Sequence, residues 1–112
     1  MDMTVEQIGD VAVMVLPGKD LDAGNAGEFK FTIATVLKAH SKMVFDLSQL
    51  RFIDSSGLGA LVSAHHSAAT QGASLKLSNL GSKFQEILQV TRLLTVFDVY
   101  PTEAAAVHSF AG

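Results

Sequence analysis

The segment Phe52-Ile53-Asp54-Ser55-Ser56-Gly57-Leu58-Gly59 concentrates the side chains best suited to chemistry: one carboxylate, two adjacent hydroxyls and two glycines, entered through apolar residues. Leu58, Leu61, Val62, His65 and Ala69 follow at helical intervals, so a helix is expected to start near Ser56, with the polar centre of the segment at its N-terminus. First-turn amides lack intrahelical partners and the helix dipole favours negative charge, so the domain would tolerate a phosphate on a serine here. Such a phosphate adds a charge of about −1.5 to −2 near neutral pH. Beside Asp54, that charge would repel a partner surface fitted to a small neutral hydroxyl, which is the chemistry of a binding switch. The plainer structural reading is that Ser55 or Ser56 caps the helix and the glycines permit a tight turn, and composition alone does not choose between the two.

Other chemistries fit the residues poorly. Ser55 follows Asp54 rather than sitting in a Gly-x-Ser-x-Gly elbow, and no Gly-Lys-Ser or Gly-Lys-Thr follows the glycines, so neither a serine hydrolase nor a phosphate-binding loop is expected. His65 and His66 are adjacent and point to different sides of a helix, while His40 and His108 are remote in sequence, which is a poor zinc set. His65 is expected on the inner face and His66 toward solvent. Cysteine is absent, which removes thiolate chemistry. With a formal net charge of −3 and eight Lys and Arg scattered singly, nucleic-acid binding is not expected. No apolar run approaches the roughly 20 residues of a membrane helix, and the first ten residues lack a signal-peptide pattern, so a cytoplasmic location and no membrane insertion are expected.

The elements that must position this segment read as one α/β domain over 1–112, a length that suits a single hydrophobic core. Met3, Val5 and Ile8, then Val11 to Leu16, suggest an N-terminal antiparallel hairpin turning at Gly9-Asp10. Phe29, Ile33, Val36 and Leu37 lie at helical spacing, with Asn25 as the expected N-cap. Met43 to Leu47 reads as a buried strand ending in Asp46 and Ser48. Gly72 should stop the second helix, Ser74 to Leu77 forms a strand, and Phe84, Ile87 and Leu88 mark a third helix. Val96 to Tyr100 is the last expected strand, and Pro101 should open a fourth helix. The order β-β-α-β-α-β-α-β-α predicts a small mixed, mostly parallel sheet with about four helices, and functional loops beyond the carboxyl ends of the strands. Phe29, Phe84 and Phe97 are core candidates; Phe110 is expected nearer the surface.

Phe52 to Gly59, followed by Ala60-Leu61, resembles the signature of the STAS domain family, especially its bacterial anti-sigma-factor antagonists. Gly18-Lys19-Asp20-Leu21-Asp22 is similar to the family's Gly-x-Leu-Asp segment with one additional residue, and Asp46-Leu47-Ser48 to its Asp-Leu-Ser strand end. Where the family usually has glycine-leucine after the third helix, this chain has Thr91-Arg92-Leu93-Leu94. The resemblance implies phosphorylation at Ser55, with Ser56 as second choice, and a partner surface formed by Asp22, Asp54, Ser55, Ser56, Gly57, Leu58 and Gly59. Asp20 is the fallback for Asp22. Gly57 and Gly59 would permit close approach of a partner backbone. The implied partners are an anti-sigma factor with a GHKL-type serine kinase fold and a resetting PP2C-type phosphatase. ATP and magnesium would belong to the kinase, leaving this chain without cofactor, metal or catalytic activity, as a monomer or weak dimer. The alternative is an unphosphorylated scaffold or regulatory subunit of a transporter or stressosome-like complex.

Overall fold

The computed structural model describes residues 3–111, so both ends of the expected 1–112 span lie outside it. The chain forms β1 (Val5–Ile8), β2 (Val11–Val15), β3 (Asp20–Leu21), α1 (Ala26–Ala39), β4 (Lys42–Asp46), β5 (Phe52–Ile53), α2 (Ser55–Thr70), β6 (Ser74–Ser78), α3 (Ser82–Val90), β7 (Asp98–Tyr100) and α4 (Glu103–Ser109). A five-stranded sheet runs β1-β2-β4-β6-β7. Its β1–β2 pair is antiparallel, turned at Gly9 with φ +60°, and the other pairs are parallel. These features match the expected mixed sheet, hairpin and four helices.

Strand alternation divides the apolar residues between two layers. Ala12, Met14, Met43, Phe45, Leu75 and Leu77 join the main core with residues of α1, α2 and α3, while Val11, Val13 and Val44 pack with Ala106 of α4 on the opposite face. Both faces of the central strands are therefore covered, which explains why β2 reads as an unbroken apolar run. Phe29 of α1 meets Phe45 edge to face, with ring centroids 5.8 Å apart. Phe84 and Phe97 are buried, whereas Phe110 is half-buried beneath the Lys76 ammonium, 4.1 Å from its ring centre.

Several boundaries differ from the sequence expectation. The buried side of α2 is Gly57, Ala60, Leu61, Ala64 and Ala68; Ala69 is exposed. Small residues let α2 lie close to the sheet and α1, and a search for large apolar side chains passes over them. The helix does end at Gly72, whose φ is +72°: the Gly72 amide bonds the Ala69 carbonyl and the Ala73 amide the Ala68 carbonyl, a Schellman closure. Pro101 lies before the fourth helix rather than opening it, because the Thr102 side chain caps α4 by accepting the Ala105 amide. A 3₁₀ turn, Leu93–Thr95, draws the amides of Val96 and Phe97 onto the Leu93 carbonyl, so β7 begins only at Asp98. The pair β3 and β5, two residues each, falls below the length at which alternation is readable.

Candidate functional site

The short β3–β5 pair builds the site. Asp20 pairs with Phe52 and Leu21 with Ile53 in parallel, and the Lys19 carbonyl accepts the Arg51 amide at 2.7 Å and the Phe52 amide at 3.0 Å. The Leu21 carbonyl also accepts the Asp54 amide at 3.3 Å, while its side chain is wholly buried in the main core. These bonds bring the 22–25 loop against the start of α2.

Asp54 occupies the N-cap of α2 with extended backbone, so the helix starts at Ser55, one residue before the expected Ser56. Its Oδ1 accepts the Gly57 amide at 2.9 Å and its Oδ2 the Ala23 amide at 3.1 Å. The Gly57 amide is the main cause holding the Asp54 carboxyl below its ordinary value; burial opposes it, and the amides of Ala23 and Ser56 add to it. Of the first-turn amides, that of Gly57 is therefore already taken by Asp54. Ser55 and Ser56 are both exposed, and neither hydroxyl has a hydrogen-bond partner among the described residues.

Asp22 is half-buried in the adjoining loop, with Oδ1 accepting the Gly24 amide at 2.9 Å. Asn25 sits at the N-cap position of α1 but makes no side-chain cap. Instead its Oδ1 accepts the Asp22 amide at 2.9 Å and its Nδ2 donates to the Asp20 carbonyl at 2.8 Å, fixing the loop internally. Asp22 thus shares a loop with Ala23, which bonds Asp54, whereas Asp20 stays on β3 as an exposed strand residue.

The two glycines have different surroundings. Gly57 is buried, and a Cβ there would lie 2.1 Å from the Leu21 carbonyl oxygen and 2.9 Å from Ile53 Cγ1. Its expected place on the partner surface is corrected: the missing side chain admits the chain's own backbone, not a partner's. Gly59 is exposed with open space where a Cβ would project, and Leu58 is half-buried against the core. The Ala23 contact and the β3–β5 pairing carry no sequence signal, because backbone groups make them. Gly57 carried a signal that admitted either role.

The histidines stay out of the site. His65 is half-buried with its ring edge-on to Phe97, centroids 5.4 Å apart, and its buried Nδ1 has no hydrogen-bond partner among the described residues, while His66 is exposed. Among the described residues no three His, Asp or Glu side chains gather to hold a metal, and no helix is long and apolar enough to cross a membrane.

At the end of β4, Asp46 is only 7% exposed. Its Oδ1 accepts the Ser48 amide at 2.9 Å and its Oδ2 the Asn79 amide group at 3.1 Å. Burial alone would raise its pKa, but these bonds and one from Glu103 together lower it. Glu103, at the start of α4, is pushed up to about 7, first by its hydrogen bond with Asp46, then by burial and the charges of Asp46 and Glu6. A protonated Glu103 donating to an ionised Asp46 is the arrangement these directions describe. Asp46 is visible in the sequence as a polar break in an apolar strand, but nothing there points to Glu103.

The sequence model of the STAS domain matches residues 2–106. A Thermotoga maritima protein described as a candidate anti-sigma factor antagonist is 29% identical over 102 residues, covering 89% of this chain and 90% of its own. The anti-sigma-B factor antagonist of Bacillus subtilis is 28% identical over 88 residues, covering 71% and 81%. A crystal structure of a candidate anti-sigma factor antagonist from Thermotoga maritima superposes with a TM-score of 0.86 at 27% identity, covering 96% of this chain and 92% of that one. With sheet order, hairpin and capped second helix all in place, the chain belongs to the STAS domain family.

Proposed function

We propose that this chain is an anti-sigma-factor antagonist that works by partner switching, with Ser55 as the phosphorylated residue. The unmodified chain binds an anti-sigma factor with a GHKL-type serine kinase fold in the cytoplasm. Phosphorylation of Ser55 by that kinase releases it, and a PP2C-type phosphatase restores binding. The chain supplies the acceptor hydroxyl and the docking surface of Asp22, Asp54, Ser55, Ser56, Leu58 and Gly59, while catalysis, ATP and magnesium belong to the kinase. The anti-sigma antagonist relatives support this reading at the level of the partner class.

The observation that carries it is the setting of Ser55: an exposed hydroxyl without a hydrogen-bond partner among the described residues, next in the chain to Asp54, whose carboxylate caps α2 and bonds the 22–25 loop through Ala23. A phosphate added there meets the positive end of α2, so the fold tolerates it. It also stands beside a carboxylate that already occupies the nearest amides, so the new charge projects outward onto the docked partner. Binding of the cognate anti-sigma factor tests this. Ser55→Ala should bind as the unmodified chain does, and Ser55→Glu should bind at least about tenfold more weakly, about 1.4 kcal/mol. Equal binding by all three would favour the scaffold role.

A further inference from the structure

A cavity of about 410 Å³ lies between β5 and the start of α3. Buried Leu50 and Phe84 form its floor, half-buried Ile53 and Ile87 its sides, and exposed Arg51 and Lys83 its rim. The size falls within the roughly 300–1,000 Å³ typical of small-molecule sites, as does an apolar body carrying a few polar groups. The chain has eleven Asp and Glu against eight Lys and Arg, yet among the described residues no carboxylate lines this cavity. Neither Arg51 nor Lys83 forms an ion pair among the described residues. Phe52, 54% exposed, adds an uncovered apolar ring at the opening.

An apolar floor beneath two unpaired cations matches one kind of small molecule: a single anionic head on a short apolar chain. We infer that this cavity binds a small amphipathic carboxylate, its chain over Leu50 and Phe84 and its head between Arg51 and Lys83. The guanidinium can hold a carboxylate through two parallel hydrogen bonds, and the ammonium adds a point charge. A polyphosphate fits less well, because two cations neutralise only part of its charge. Binding here does not require Ser55 to be modified, so it stands apart from partner switching. The two sites nevertheless touch, since Ile53 walls the cavity and packs against Gly57 in the first turn of α2.

The test is titration of the ¹⁵N-labelled full chain with decanoate below its micelle-forming concentration, followed by amide chemical shifts, with decanol and ATP as comparators. Saturable shifts confined to residues 50–53 and 81–87 are expected, with decanol binding more weakly. The double variant Arg51→Ala, Lys83→Ala should keep the native spectrum, since both side chains are exposed, and weaken decanoate by about tenfold or more. Arg51→Lys should recover part of the loss. Non-saturating or dispersed shifts, equal binding of decanol, tighter binding of ATP at the same amides, or an unaffected double variant would each overturn the inference.

Discussion

Asp54 and Ala23 are joined across 31 residues of sequence: one carboxylate oxygen of Asp54 accepts the Ala23 amide at 3.1 Å while the other caps α2 through Gly57. One side chain thus fixes both loops of the proposed docking surface. Asp54→Asn keeps an acceptor but must turn its amide NH₂ toward one of the two donors, and Asp54→Ala loses both bonds. Both variants should melt below the parent, alanine the more so, with amide exchange at Ala23 and Gly57 accelerated. Unchanged exchange at Ala23 would mean that the link does not hold the loop. The Asp54 carboxyl lies below its ordinary value of 3.8, so its contribution is present above that pH and is lost as the pH falls through the lowered value.

Gly57 and Gly59, two residues apart, should respond oppositely to alanine. A Cβ at position 57 would press into the Leu21 carbonyl, which belongs to backbone and cannot swing aside. Gly57→Ala should cost about 3 kcal/mol, as overpacking does. At position 59 nothing lies within 4 Å, so Gly59→Ala should stabilise by about 1 kcal/mol through helix propensity. Urea denaturation of the two variants checks the pair, and equal effects would contradict the packing.

Asp46 and Glu103 make stability depend on pH in a stated direction. Glu103 is raised from 4.5 to about 7, so its contribution is complete below about pH 4.5 and is lost as the pH rises through about 7. Asp46, lowered from 3.8, contributes above that value and loses its contribution on acidification. The pair is therefore most stabilising in weak acid. Glu103→Gln, which donates to Asp46 at any pH, should flatten the fall in melting temperature between about pH 5 and about pH 8 and raise it at the upper end. A slope equal to the parent's would exclude the shared proton.

Arg92 adopts φ +63° in the turn after α3, a left-handed conformation that favours glycine. The residue is exposed and its guanidinium has no partner among the described residues, so only the backbone strain is at stake. Arg92→Gly should stabilise the chain by about 1 kcal/mol. Thermal denaturation reads this, and a loss of stability would mean that the side chain makes a contact worth more than the strain.

The long periodic elements were legible in the sequence because their burial is periodic: the hairpin, the two central strands and the amphipathic stripe of α1 followed directly from apolar spacing. Helix α2 was legible in position but not in its packed face, since Ala60, Ala64 and Ala68 carry little hydrophobic signal. Within the site, the Asp54-Ser55 pair stood out by residue type. What joins that pair to Asp22 did not, because Lys19, Leu21 and Ala23 act there through their backbones. Gly18, at φ +80°, turns the chain ahead of β3, where Leu21 is buried in the core and Asp22 lies in the following loop.

The central claim is tested most directly by phosphopeptide mapping of the chain isolated from its own cells under growth and stress, with and without phosphatase treatment. A phosphatase-sensitive phosphate on Ser55 is expected. A phosphate on Ser56 alone, or none under any condition, would contradict it.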